Sequence, residues 1–140
     1  MATNESAFKL EFRKSGANIS DFMIWPQNDM FQAGIPDMAA IYKGRHISIE
    51  AKFVSSLPAR GSSKVLRHEL SELQYGFLKR VNGVGAFGVL LIGFDGVAVA
   101  YTGDSVKTNY TVSEVKEAPR IYKLDGGKWD IKKFLEVIKA

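Results

Sequence analysis

The sequence predicts an α/β domain: a central mixed β-sheet flanked by helices. Three observations predict it. Two pairs of extended apolar runs are each joined by a two-residue turn, Lys43-Gly44 and Asp95-Gly96; a capped helical pattern beginning at Ser71 lies between those pairs; and helical spacing of apolar residues recurs at both ends of the chain. The resulting order is helix, strand, hairpin, helix, hairpin, helix, which layers helices onto a sheet.

Each element follows from local chemistry. Thr3 and Asn4 are N-cap residues, Phe8 and Phe12 recur on one helical face, and Ser15-Gly16 is a stop, so residues 4–15 read as a first helix. Residues 17–34 mix β-formers with Pro26 and polar turn residues, which predicts a short strand from Phe22 to Trp25 and an irregular approach to Gly34. From Asp37 to Phe53 two extended runs, DMAAIY and RHISIEAKF, flank Lys43-Gly44 as a hairpin. Ser71-x-x-Gln74 is a capping box, followed by Leu73, Phe77, Leu78 and Val81 at helical spacing and by Asn82-Gly83 as terminator. Ala86 to Phe94 and Val97 to Thr102 form the second hairpin across Asp95-Gly96. A weaker turn at Asp125-Gly126-Gly127 leads to a helix from Asp130 whose inner face is Ile131, Phe134, Leu135 and Ile138.

Composition bounds the function. With 140 residues, 46% of them apolar, the chain can bury one core, and residues 1–140 read as a single domain without repeats or linkers. The first sixteen residues are charged throughout and lack the apolar stretch of a signal peptide, so a cytoplasmic protein of a bacterial, archaeal or phage-infected cell is expected. The longest apolar run, Val84 to Phe94, is too short to span a bilayer as a helix, so no membrane partner is expected. Cysteine is absent, which excludes disulfides and thiolate metal sites. A net charge of +4 favours a polyanionic partner, and the segment from Ser55 to His68 concentrates that charge: Arg60, Lys64, Arg67 and His68 stand among serines and a glycine. It reads as a mobile basic loop suited to phosphates.

The chemistry is carried by the first hairpin. With Lys43 and Gly44 as a two-residue turn, Tyr42 pairs with Arg45, and the same register brings Asp37 opposite Glu50. Glu50 and Lys52 share one face of the strand, while Ala51 points the other way with Met38, Ala40, Ile47 and Ile49. Two facing carboxylates, with Cβ atoms about 5 Å apart, repel unless a cation lies between them. Hard oxygen donors without cysteine or clustered histidine favour Mg²⁺, with Mn²⁺ as substitute, and Mg²⁺ combines one or two carboxylates with substrate phosphates. The bland alternative is an exposed hairpin face on which Asp37, Glu50 and Lys52 are ordinary surface charges.

Gly34-Ile35-Pro36-Asp37, followed after twelve residues by Glu50-Ala51-Lys52, resembles the signature of the PD-(D/E)XK nuclease superfamily. The resemblance implies a restriction-endonuclease-like fold, metal binding by Asp37, Glu50 and Ala51, and a catalytic Lys52. It also implies a glutamate on the first helix; counting from Gly16 favours Glu5, with Glu11 as the other candidate. The stretch HELSELQYGFLKRVNGVGAFGVLLIGFDG resembles Holliday-junction resolvases of archaeal and RecU-like bacterial or phage type, in which a helix bearing a glutamine near the site precedes a Gly-rich apolar strand. Gln74 matches that glutamine, although the capping box uses the same residue. The similarity runs from Glu5 to Val106.

The expectation is therefore a structure-selective, Mg²⁺-dependent DNA endonuclease, a Holliday-junction resolvase serving recombination and repair. Its sites would be Glu5, Asp37, Glu50, Lys52 and Gln74, with Arg60, Lys64 and Arg67 on DNA phosphates. A four-way junction needs two incisions, hence a homodimer. Two other readings stay open: another nuclease of the same fold, such as a VRR-type nickase or end-processing enzyme, and a non-catalytic basic DNA-binding module. His46 reads as an ordinary surface or packed residue, His68 as a basic-loop residue within reach of a phosphate contact, Trp25 and Trp129 as packing, and Gly83, Gly85 and Gly88 as something other than a phosphate loop, since they follow a helix instead of opening one.

Overall fold

In a computed structural model, which describes residues 4–27 and 33–140, the chain opens with α1 (Glu5–Ser15). Asn4 starts this helix by accepting a hydrogen bond from the Ala7 amide at 2.8 Å. Thr3, the other capping candidate, and residues 28–32 of the approach to Gly34 lie outside the described residues. Then follow β1 (Phe22–Pro26), β2 (Met38–Tyr42), β3 (Arg45–Phe53), α2 (Glu72–Gly83), β4 (Phe87–Phe94), β5 (Val97–Thr102), a 3₁₀ turn (Gly103–Ser105), α3 (Val112–Glu117), β6 (Ile121–Tyr122) and α4 (Ile131–Ile138).

The six strands lie side by side in chain order, all neighbours antiparallel except β3 and β4, which run parallel. A parallel neighbour cannot be reached by a tight turn, so the chain crosses over through α2. The two hairpin turns have both central residues at positive φ: Lys43 and Gly44 at 49° and 78°, Asp95 and Gly96 at 47° and 76°. That geometry matches the twist of the strands it joins and leaves little freedom of register.

The helices divide between the two faces. On one, Phe8 and Phe12 of α1 and Ile131, Phe134 and Ile138 of α4 bury against Met38, Ile47, Ile49 and Leu91. On the other, Leu78 of α2 and Val112 and Val115 of α3 cover Leu90, Ile92 and Val99. The inner face expected for the last helix, Ile131, Phe134, Leu135 and Ile138, is fully buried. In α2 only Leu78 is buried; Leu73, at the same helical spacing, is 60% exposed.

α2 approaches β4 closely because Gly88 has no side chain: a Cβ there would stand 2.4 Å from the Leu78 carbonyl oxygen. Asn82 reinforces the contact, accepting from the Gly88 amide at 2.8 Å and donating to its carbonyl at 3.0 Å. This glycine is thus a packing residue.

One expectation needs correction: the segment from Ser55 to His68 is tied to the fold between Gly61 and Leu66. Val65 and Leu66 are buried, the Val65 amide donates to the Tyr110 carbonyl at 2.8 Å, Leu66 exchanges two hydrogen bonds with the Asn109 side chain, and Lys64 bridges Thr111. Its apolar residues, hidden among the basic ones, anchor it to the stretch before α3. That stretch leads into α3, which Thr111-x-x-Glu114, a capping box of the same kind as Ser71-x-x-Gln74, caps in the same way.

Gly88→Ala should therefore destabilise the fold by about 1–3 kcal/mol through forced separation of α2 from β4, read as a lowered urea midpoint, whereas Gly83→Ala, with open space around it, should change little.

Candidate active site

The β2–β3 register pairs Tyr42 with Arg45 and Met38 with Ile49, so one step further Asp37 stands opposite Glu50. Asp37 is locked in place by the strand it faces: its Oδ2 accepts the Ala51 backbone N–H at 3.0 Å. Ala51 itself points into the core with Met38, Ala40, Ile47 and Ile49. Alternation sends Glu50 to the opposite face of the sheet, where it is only 3% exposed.

A carboxylate buried to that degree is costly unless partnered. Lys52, two residues along the same face, brings its Nζ to 3.7 Å from Glu50 Oε2. Gln74 of α2 reaches the same oxygen through Nε2 at 3.5 Å, a long contact, while its Oε1 accepts from the Ser71 amide at 3.0 Å. The capping and site-facing roles of Gln74 therefore coexist on the two ends of one amide. These partners do not offset the burial: desolvation first, then the negative charge of Asp37 and its hydrogen bond, push the Glu50 carboxyl up to about 8, against the pull of Lys52 and Lys9.

Lys9 was missing from the sequence reading. Its Nζ lies 3.0 Å from Asp37 Oδ1 and 3.0 Å from Glu5 Oε2, so it ties α1 to the hairpin. Burial works against its charge, but the two carboxylates outweigh that and hold its ammonium above the ordinary lysine value. The signal was available: Glu5 and Lys9 are four apart and so adjacent on a helix.

Glu5 and Lys52 line one cleft of about 300 Å³ with Phe53, Val54, Leu66, Arg67 and His68. Helix, strand and anchored loop thus converge. Of the three basic residues expected on DNA, Arg67 lines this cleft; Arg60 and Lys64 are exposed on the loop outside it. His68, set aside on sequence, lines it as well. Glu11 is drawn elsewhere, pairing with Lys123 at 2.8 Å. His46 is exposed at the turn end of the hairpin. Trp129 is a core residue, its ring 5.5 Å from that of Phe8 and its amide donating to Ser15 Oγ at 2.9 Å, so the C-terminal segment holds α1 in position.

Among the described residues no three His, Cys, Asp or Glu side chains converge on one point. The donor set is a pair: the Asp37 and Glu50 carboxylates, hard oxygens of which one is desolvated and short of positive charge. That deficit is what a divalent cation would relieve, and one or two carboxylates are what Mg²⁺ ordinarily takes from a protein.

No family model matches the chain, and no curated protein matches it in sequence. Among solved structures it is similar to Hjc, a Holliday junction resolvase from the archaeal hyperthermophile Archaeoglobus fulgidus, with a TM-score of 0.52 and 17% identity over 81% of this chain and 90% of that one. Its fold is similar to that of Hjc. At this identity the likeness is one of architecture, and it agrees with the six-stranded mixed sheet and flanking helices described above.

The raised Glu50 pKa carries a signed consequence. Between its ordinary value of 4.5 and about 8, the folded chain holds a proton on Glu50 that the unfolded chain has released, so stability falls as pH rises through that window. In EDTA, Glu50→Gln should melt at a higher temperature than wild type at pH 8–9, and the difference should vanish towards pH 4.5. A pH-independent difference would mean that Glu50 keeps an ordinary carboxylate pKa.

Proposed function

We propose that this chain is a divalent-metal-dependent DNA endonuclease of the PD-(D/E)XK type, a Holliday junction resolvase that cuts branched DNA. The observation that carries the reading is the juxtaposition of Asp37 and Glu50 across the hairpin, with Lys52 on the same strand face at a cleft bordered by Arg67 and His68.

Asp37 and Glu50, with the backbone at Ala51, would hold Mg²⁺ or Mn²⁺, which supplies an activated water and neutralises charge on the scissile phosphate. The protein's own groups do the rest. The Ala51 amide fixes the orientation of Asp37, and Gln74 steers Glu50 from α2. Lys52, only 18% exposed at its side chain, sets a desolvated positive charge at the cleft, where it stabilises the extra negative charge of the transition state. Glu5 adds a further acid on the cleft wall, available to orient water. Arg67 within the cleft and Arg60 and Lys64 beyond it give the phosphate backbone a basic track. Cutting a four-way junction symmetrically takes two such sites, and a homodimer supplies them. The fold likeness to Hjc, a Holliday junction resolvase, supports branched DNA as the substrate class.

Incubation of four-way junction and linear duplex with wild type, Asp37→Asn and Lys52→Met, each with and without Mg²⁺, tests the reading. Paired symmetric nicks in the junction, dependent on Mg²⁺ and slowed on the order of 100-fold or more by either substitution, are expected. Equal cutting of linear DNA would remove the resolvase assignment and leave a nickase or end-processing enzyme. Unchanged cleavage by Asp37→Asn would clear this site of catalysis altogether. Replacing Arg60, Lys64 and Arg67 together by Ala should weaken binding to every DNA sequence and flatten the slope of log K against log salt by about 2 to 3.

A further inference from the structure

We propose that Lys9 is a resident counter-cation of the acidic pair, and that a divalent ion takes its place in the site by displacing the Lys9 ammonium from Asp37. The proposal rests on the reading of Asp37 and Glu50 as metal donors.

Each oxygen of Asp37 already faces one donor. Oδ2 accepts the Ala51 amide at 3.0 Å, and that amide belongs to a central strand whose side chain is buried in the core. Giving it up would leave the Ala51 N–H of that central strand without this partner. Oδ1 is held by Lys9 Nζ at 3.0 Å. An ammonium on a four-carbon stem can move while its backbone stays. The backbone of α1 does stay, because Phe8 and Phe12, beside Lys9 on the helix, are fully buried against the sheet and Trp129. A dication drawn to Asp37 and Glu50 therefore competes with Lys9 for one oxygen.

Lys9 also has somewhere to remain. Glu5, one turn earlier on α1, already holds the same ammonium through Oε2 at 3.0 Å. Ceding Asp37 costs Lys9 one of two partners, and its side chain, 23% exposed, does not have to cross the core. Glu5 thus acts as the anchor to which the displaced cation retreats. The consequence is a metal affinity set below what the carboxylate pair alone would give, since each ion bound must break an existing ion pair.

Calorimetric titration of Mn²⁺ into DNA-free protein tests this directly. Lys9→Met and Lys9→Gln should bind Mn²⁺ about five- to tenfold more tightly than wild type, as expected for loss of a competing half-buried pair. Lys14→Met removes the same charge from an exposed position on the same helix and should leave the affinity within about twofold of wild type. In the unsubstituted chain, the Lys9 side-chain NMR signal should shift on Mg²⁺ addition while that of Lys14 does not, a readout that holds even if a Lys9 variant folds poorly. Lys9 variants that bind no more tightly than Lys14→Met, together with an unmoved Lys9 signal, overturn the displacement and leave the nuclease reading intact. Mn²⁺ binding that Asp37→Asn does not alter overturns both.

Discussion

Everything at the candidate site depends on the register of one hairpin. Lys43 and Gly44 both adopt positive φ, which fits the two-residue turn that joins twisted strands and fixes Tyr42 against Arg45. From there the pairing counts down to Met38 against Ile49, and Asp37 meets Glu50 one step later. Side chains alternate along a strand, so a slip by one residue would turn Glu50 into the core and Ala51 out of it. The apolar side chains of Met38, Ala40, Ile47, Ile49 and Ala51, all buried together, oppose such a slip. The same packing that stabilises the sheet therefore aims the acids.

Having been aimed, the acids are held at an electrostatic cost. Glu50 sits beneath α2 with too few positive neighbours, and Asp37 adds a like charge across the strands. The remainder of the chain is arranged around this strain. α1 brings Lys9 and Glu5, and α1 is itself fastened by Phe8, Phe12 and the Ser15–Trp129 hydrogen bond. α2 brings Gln74, and α2 is drawn down by the bare backbone at Gly88. The stretch before α3 pins the basic segment so that Arg67 and His68 border the cleft. The last third of the chain, which carries no candidate catalytic residue, thus serves the site by positioning both its helix and its loop.

What could be read from the sequence was whatever local chemistry encodes. Lys43-Gly44 and Asp95-Gly96 specify turns, Ser71-x-x-Gln74 a helix start, and Ile131, Phe134, Leu135 and Ile138 a helix face, and each lies where expected. The register of Asp37 and Glu50 followed from the turn by counting. Features that depend on contacts distant in sequence were not legible. Lys9 reads as one more helix charge until α1 is laid beside the hairpin, and Val65 and Leu66 read as incidental until Tyr110 and Asn109 are placed next to them. The two-residue β6 is too short for any periodicity. The choice between Glu5 and Glu11 rests on how α1 is rotated by Phe8 and Phe12, and that rotation sends Glu5 to the cleft and Glu11 to Lys123.

The most direct measurement is anomalous diffraction from crystals of the protein soaked in Mn²⁺. An anomalous peak bonded to one oxygen of Asp37 and one of Glu50, within about 2.5 Å of each, is expected. A Mn²⁺ peak elsewhere on a protein that cuts DNA, or the two carboxylates turned away from each other, would contradict it.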